Sequence, residues 1–486
     1  MKYIKIAGLA LLTVLWGASC KKQLVQDPSN AIPTGNAFQT VNDFELADQG
    51  MYYQMVHAEN YIGGADAPIS WISTMDLLAD NLISQSTGRG SQRTFGNWQY
   101  NKSNTTGMFE DGYRIIRSAN AILENIANID GAAQKDNYEG EALAVRAMVH
   151  FDLLRIYSKP VSGPQADLNG LGVPYVKTTD VKDKPARGTV KETYDNVVAD
   201  LIKAATLINV DNGVGRLNKA AVYGLLSRVY LYGGEWQKCI DASTECLNSG
   251  VDVASITDFP SIWTDQSESG VLFKIRFTQQ DEGTDGTIAV GVGYSQTGPT
   301  GVKSEWVCSY SLAQMFDTND VRTDAYILPT TYNGIDYNAI NKYMGRPNEP
   351  LGLVDVKYLR VAEVLLNRAE AEANTGDDPA ALDDLNHLRE NRYFNYTAGT
   401  ETGQALKDAI QHERRLELAF EGDRWFTLKR LGLPVERDNF GDQADGTGTP
   451  YFVKELPAGD IHWEIPLLQT DIQANPNLKQ NPGYGN

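Results

Sequence analysis

The segment QHERRLELAFEGDRWFTLKRLG, residues 411–432, decides how the rest of the chain is read. Leu416, Ala419, Phe420 and Asp423 fall at i, i+3, i+4 and i+7, so the apolar members form one helical stripe with Glu413, Arg414, Arg415 and Glu417 beside it. That face needs something to pack on. Gly422 takes positive φ cheaply and is placed to end the helix, after which Asp423 can start another carrying Trp425, Phe426 and Leu428. Two helices then meet at an angle, and the segment reads as a structural hinge, not a catalytic centre. Because a helix crossing needs paired charges near it, Arg414, Arg415, Glu421 and Arg424 are expected to be packing and capping groups.

The segment resembles the ERR-x-E-L-A-F-E-G-x-R-W-F signature of the SusD/RagB family, outer-membrane lipoproteins of Bacteroidetes that capture nutrients, usually glycans, for a partner transporter. Residues 462–484, HWEIPLLQTDIQANPNLKQNPGY, are similar to that family's closing segment. Residues 139–157, EGEALAVRAMVHFDLLRIY, are similar to its helix running into aromatic-Asp-Leu-x-Arg-x-Tyr. The resemblance implies a mainly α, SusD-like fold: a tetratricopeptide-like helical scaffold with a loop-rich C-terminal half containing short strands. It also implies a receptor that does not catalyse but captures an oligosaccharide and delivers it to a SusC-like, TonB-dependent outer-membrane transporter. An oligopeptide receptor of RagB type is the alternative within the family. A secreted glycoside hydrolase and a scaffold without ligand are the alternatives outside it.

Composition narrows the classes. The chain has 486 residues, with 43 Lys plus Arg against 62 Asp plus Glu, a net charge of −19. Residues 1–19 contain Lys2 and Lys5 and no acid, so a chain starting at Cys20 would carry −21. Such acidity makes nucleic acid an unsuitable partner and suits a neutral ligand. Lys2 and Lys5, the apolar run 6–15 and the small residues Gly17, Ala18 and Ser19 before Cys20 read as a lipoprotein signal peptide. The run falls short of the about 20 apolar residues of a spanning helix. Lipidation of Cys20 would tether the protein to outer-membrane lipid, and the family resemblance places it facing the cell exterior, although Lys21 and Lys22, not an acidic run, follow the cysteine. The expected organisation is a signal over 1–19, a lipidated tether over 20–35, a helical region over 36–250 and a C-terminal SusD/RagB region over 251–486, the last two forming one unit.

Helical periodicity runs over 36–57, a short piece at 75–81, 108–129, 138–157, 190–208, 219–232 and 236–248. Ser227, Tyr230, Trp236, Cys239 and Cys246 follow the small and aromatic order of a tetratricopeptide helix pair, and 355–374 with 379–392, turning at Gly376, offers a second. Cys239 and Cys246 stand seven residues apart on one helix, about 10 Å along its axis, too far for a disulfide. Alternation in VLFKIRFTQ (271–279) and TIAVGVGYS (287–295) predicts strands. Asp320 and Arg322 read as turn-fixing.

No zinc spacing, P-loop, dinucleotide fingerprint or nucleophile elbow is found among the motifs, so neither a metal nor a cofactor is expected. Sugar recognition needs flat aromatics and planar polar groups. Trp71, Trp98, Trp263, Tyr294 and Trp306 lie in the two loop-rich segments, and Arg89, Arg93, Asn97 and Gln99 surround Trp98. Of these, all but Arg89 are the expected ligand residues, with Trp98 as an exposed platform.

Overall fold

Helices form where the 3.6-residue period runs unbroken. A computed structural model describes residues 37–485 apart from 59, 63–69, 88–89, 279–289, 295–296, 299–300 and 303. The signal and tether expected over 1–35, with Cys20, and also Arg89 lie outside the described residues. The helices of eight residues or more are α1 (Val41–His57), α2 (Trp71–Leu78), α3 (Met108–Asn125), α4 (Lys135–Tyr157), α5 (Val190–Leu207), α6 (Lys219–Gly233), α7 (Trp236–Leu247), α8 (Val361–Thr375), α9 (Asp378–Glu390), α10 (Gly403–Glu417) and α11 (Asp423–Leu431). Thr40 with Asp43, and Thr189 with Glu192, close reciprocal capping boxes at the starts of α1 and α5, satisfying backbone N–H groups that the helix leaves unpaired.

The centre of the N-terminal half is α4, in which every residue from Gly140 to Tyr157 is buried. A helix covered all round has no polar face to read; α3 and α5 pack on it. The tetratricopeptide-like pairs are present: α6 packs on α7, α8 on both α7 and α9. Small side chains let them approach, with the Cys239 thiol donating to Ser227 O at 3.3 Å. At Gly224 a Cβ would come within 2.8 Å of Leu359. Cys239, Cys246 and Cys308 are buried free thiols.

Short two-stranded ladders interrupt the helices. Strand β1 (Leu82–Ser84) pairs antiparallel with β3 (Trp306–Cys308), β2 (Val271–Ile275) with β6 (Val356–Arg360), and β4 (Ile327–Tyr332) with β5 (Ile335–Ile340). The β4–β5 turn is Asn333–Gly334 with φ 51° and 77°, the left-handed pair that a two-residue hairpin requires.

Three expectations need correction. The helix expected to continue through Phe420 ends at Glu417, and Phe420 itself takes φ 68° before Gly422 at 77°. Residues 356–360, expected at the start of a helix, form β6 because they complete a ladder with β2. Residues 290–293 of the expected strand 287–295 form a single 3-10 turn, while 287–289 and 295 lie outside the described residues. Strand β2 forms, but all five of its residues are buried instead of alternating, since α1 and α6 both pack on it.

The hinge is locked by charge. Glu417, without measurable exposure, accepts from Arg360 Nη1 at 2.6 Å, Arg392 Nε at 2.8 Å and Nη2 at 3.0 Å, and Arg322 Nη1 at 3.2 Å. Arg322 also pairs with Asp320 at 2.8 Å and Glu413 at 2.6 Å, which makes Asp320 and Arg322 turn-fixing residues. Glu421 takes Lys342 and Arg360. Burial alone would raise the Glu417 carboxyl, but Arg392, Arg360 and Arg322 outweigh it and hold the group far below the usual carboxylate range.

Removing one member of such a set leaves buried charge uncompensated. Glu417→Gln is expected to destabilise the fold at pH 7 by about 3–5 kcal/mol, measured by urea unfolding. The sign of the acid effect follows from the depressed folded value. The unfolded carboxyl, near 4.5, takes its proton first as pH falls, so the group's contribution is complete at pH 7 and shrinks by about 1 kcal/mol by pH 4. The Gln variant should lack that part of the acid slope; an unchanged slope would remove Glu417 as its source.

Candidate ligand cleft

A cleft of about 310 Å³ opens between β1, the residues after β3 and a strap from Glu436 to Tyr451. Its floor is Leu82 and Ile83, with Asp80 and Arg415 beneath. Asp80 follows the end of α2 and receives Arg424 at 2.8 Å and Arg415 at 3.1 Å. Burial would raise its carboxyl; the two guanidiniums bring it down to about 2 instead. One wall is Ser309 and Ser311, the latter donating its hydroxyl to Asp438.

The strap is fixed by polar anchors, because it has few apolar side chains of its own. Arg437 donates to the carbonyls of Leu77, Leu78, Ala79 and Gly96, capping the C-terminal end of α2. Its guanidinium lies between the rings of Trp98 at 4.1 Å and Tyr451 at 4.3 Å, and the lost hydration lowers it to about 10, still charged at pH 7. Asp442 accepts from Ser86 N at 2.6 Å and Thr449 N at 2.7 Å. The Tyr451 hydroxyl accepts from Ser84 N at 2.9 Å, and its ring so nearly touches Gly96 that a Cβ there would sit 2.3 Å away. Ala444 N donates to Asp336 O on β5.

At the rim stands Phe440, 44% exposed, edge-on to Tyr310 with ring centres 4.5 Å apart. An aromatic face over a floor of hydroxyls, carboxylates and guanidiniums offers what a ring with axial hydrogens and equatorial hydroxyls can use. Three carboxylates (Asp80, Glu436, Asp438) face two guanidiniums (Arg415, Arg437), so the lining is slightly negative and disfavours polyanions. No histidine or cysteine lines it. Among the described residues no group of three or more His, Cys, Asp or Glu is arranged to hold a metal ion.

The residues expected from sequence are distributed differently. Trp98, expected as an exposed platform, is 4% exposed. Its indole N–H donates to Leu78 O at 3.0 Å and Arg437 covers a face, so the ring backs the cleft one layer down. Arg93 and Asn97 join it as anchors: Arg93 donates to Ser84, Thr449 and Pro450 carbonyls, and Asn97 Oδ1 accepts from Phe452 N and Val453 N. Gln99 is exposed. Tyr294 and Trp306 are fully buried beside one another, centroids 5.3 Å apart, with Tyr343 stacked on Tyr294. Trp263 lies under Lys342 and Arg360, and Trp71 packs against Tyr358 and Phe426. None of these four rings presents a face to solvent. Phe440 and Tyr451 were missed, although the criterion applied to the tryptophans, an aromatic in a loop among polar residues, fits them as well; Tyr310, which opens the short helix Tyr310–Ala313, does not meet it.

A second recess of about 350 Å³ runs between α3, residues 174–185 and the C-terminal residues 471–478. Phe109, Tyr113, Val176 and Leu478 make its wall mainly apolar. Glu110, Arg114, Arg117, Asp180 and Asp183 line it too, but its aromatics Phe109 and Tyr113 are buried and partly buried, whereas Phe440 of the cleft is exposed.

Residues 50–231 match the model of a family described as starch-binding and associating with the outer membrane, and residues 276–484 match the SusD family model. A SusD-like protein of Formosa agariphila is 25% identical over the full length of both chains. The crystal structure of a SusD superfamily protein from Bacteroides thetaiotaomicron matches with TM-score 0.79 at 25% identity, over 91% of this chain and all of the other. That of a SusD-like carbohydrate binding protein from Bacteroides vulgatus shares the fold, with TM-score 0.76 at 20% identity over 90% and 97% of the two chains.

Because Trp98 supports the strap from below, Trp98→Ala should cost about 3–5 kcal/mol, as for other buried aromatics, with a matching drop in the denaturation midpoint. An unchanged midpoint would restore the exposed-platform reading.

Proposed function

Since the chain belongs to the SusD/RagB family of non-catalytic binding proteins, we propose that it captures an oligosaccharide in the cleft beneath Phe440 and delivers it to a SusC-like, TonB-dependent outer-membrane transporter. The observation that carries the ligand site is the half-exposed Phe440–Tyr310 pair standing over hydroxyl, carboxylate and guanidinium groups. The carbohydrate named for the Bacteroides vulgatus protein and the starch named for the family support the same ligand class. The slightly negative lining and the net charge of −19 favour a neutral glycan over a sulfated or uronic one.

In this proposal Trp98, Arg93 and Asn97 position the strap, and Phe440 and Tyr310 touch the sugar. Gln99 is exposed but does not line the cleft, and Trp71, Trp263, Tyr294 and Trp306 support the scaffold. Attachment to the outer membrane runs through lipidated Cys20, and the bound glycan is held at the cell surface until the transporter takes it. Among the described residues no helix is long and apolar enough to cross a membrane.

The test is calorimetric titration of the protein and of Phe440→Ala with a panel of neutral, uronic and sulfated oligosaccharides and of oligopeptides. Phe440 has little packing to lose, so the variant should unfold at the same denaturant midpoint while binding its neutral glycan on the order of tenfold more weakly. Tight binding of oligopeptides with none of glycans would replace the ligand class. Normal glycan affinity in Phe440→Ala would move the site elsewhere.

A further inference from the structure

Away from the cleft, three helices converge on a small, partly open cavity. The C-terminal end of α4 brings Arg155 and, just after it, Ser158; α6 brings Tyr232; α11 brings Lys429 and Arg430. The cavity measures about 20 Å³, somewhat more than the ~10–15 Å³ one water requires and far less than a sugar or an oxyanion. All five residues are more than nine-tenths buried: Arg155 8% exposed, Ser158 1%, Tyr232 6%, Lys429 6% and Arg430 5%.

The donors there outnumber the acceptors. Arg155 gives Nη2 to Asp152, Arg430 gives Nη1 and Nη2 to Glu370, and Lys429 donates to the carbonyls of Arg155 at 2.9 Å and Ser158 at 2.7 Å. Four polar atoms remain without a protein partner: Arg155 Nε, Arg430 Nε, the Tyr232 hydroxyl and the Ser158 hydroxyl. Each belongs to a residue lining the same cavity. Arg155 and Arg430 also lie 5.4 and 5.5 Å from the centre of the Tyr232 ring, so two guanidiniums crowd one phenol.

Charge points the same way. Arg155, Lys159, Lys429 and Arg430 line the cavity, and no carboxylate does. The acids that hold these cations are Asp152, Glu370 and Glu464, the last shared by Lys159 at 2.8 Å and Lys429 at 3.6 Å. Four cations therefore share three carboxylates. Against an anion stands the partial negative charge at the end of α4, but Lys429 occupies the last carbonyls there and offsets it. A water molecule could accept from the two guanidinium Nε–H groups and donate to the two hydroxyl oxygens, but it would leave the surplus positive charge uncompensated. A monatomic anion accepts from all four groups and also offsets that charge.

We propose that this cavity is a binding site for a single halide ion, chloride in ordinary media, held by Arg155, Arg430, Tyr232 and Ser158 and tying α4, α6 and α11 together. Leaving a buried donor unmade is costly, so the ion should stabilise the junction. Two measurements test it. Crystals grown in bromide should show one anomalous peak within hydrogen-bond distance of the Tyr232 and Ser158 hydroxyls. In solution, chloride should raise the melting temperature above that in gluconate at equal ionic strength. Tyr232→Phe, which removes one donor and keeps the ring, should require about tenfold more chloride for the same rise. If that variant does not fold, the two wild-type measurements still decide. A position without anomalous signal means a water and overturns the proposal. A peak with no chloride-dependent melting shift means binding at crystal concentration only, and overturns it too.

Discussion

The carboxylate of Glu417 is the point on which the C-terminal half turns. Taking it out of water is expensive, and three guanidiniums from three other segments offset that cost: Arg322 after a turn, Arg360 at the end of β6 and Arg392 beyond α9. The ion set also accounts for where α10 stops. Past Glu417 the chain must bring Glu421 back to Arg360 and Lys342, and it does so through Phe420 and Gly422 in left-handed conformations. Trp425 then enters the core, its ring 4.2 Å from that of Trp463 in the closing segment.

Adjacent residues of α10 carry this order in opposite directions. Arg414 turns inward to Asp423, Thr427 and Asn367, joining α11 to α8. Arg415 turns outward to Asp80 and lines the cleft floor. The family-defining segment is thus structural, as its charge pattern indicates, yet one of its arginines reaches the candidate site. The proposed ligand surface is built on a lattice of ion pairs, with the strap and its Phe440 projecting from it. This suits a receptor that must offer a preformed face to a weakly hydrophobic, heavily hydrated ligand.

Much of this fold is written in local sequence, and the reason is physical. Helices α5, α6, α7 and α9 begin and end within a few residues of where period, caps and glycines put them, because each of those signals acts over one turn. Gly376 at φ 91° closes the second helix pair where the sequence places it. Strand β6 was not legible: residues 356–360 carry no alternation, since both faces are buried, and only pairing with β2, some 85 residues earlier, makes them a strand. The site shows the same limit. Trp98 sits among polar residues and looks like a platform, but what covers it is Arg437, far along the chain. Burial of an aromatic by a distant strap leaves no trace near that aromatic. Phe440 could have been chosen on type and place; its pairing with Tyr310, which makes it half-exposed and edge-on, could not.

In the proposed binding mode, ligand enters the cleft between Ser309–Ser311 and the Glu436–Tyr451 strap. Hydrogen exchange of backbone amides, with and without a saturating neutral oligosaccharide, reads that directly. Slowed exchange confined to residues 82–86, 309–311 and 437–451 is the predicted result. Protection instead along residues 109–117 and 174–185, with the strap unchanged, would contradict the account and place the ligand in the recess beside α3.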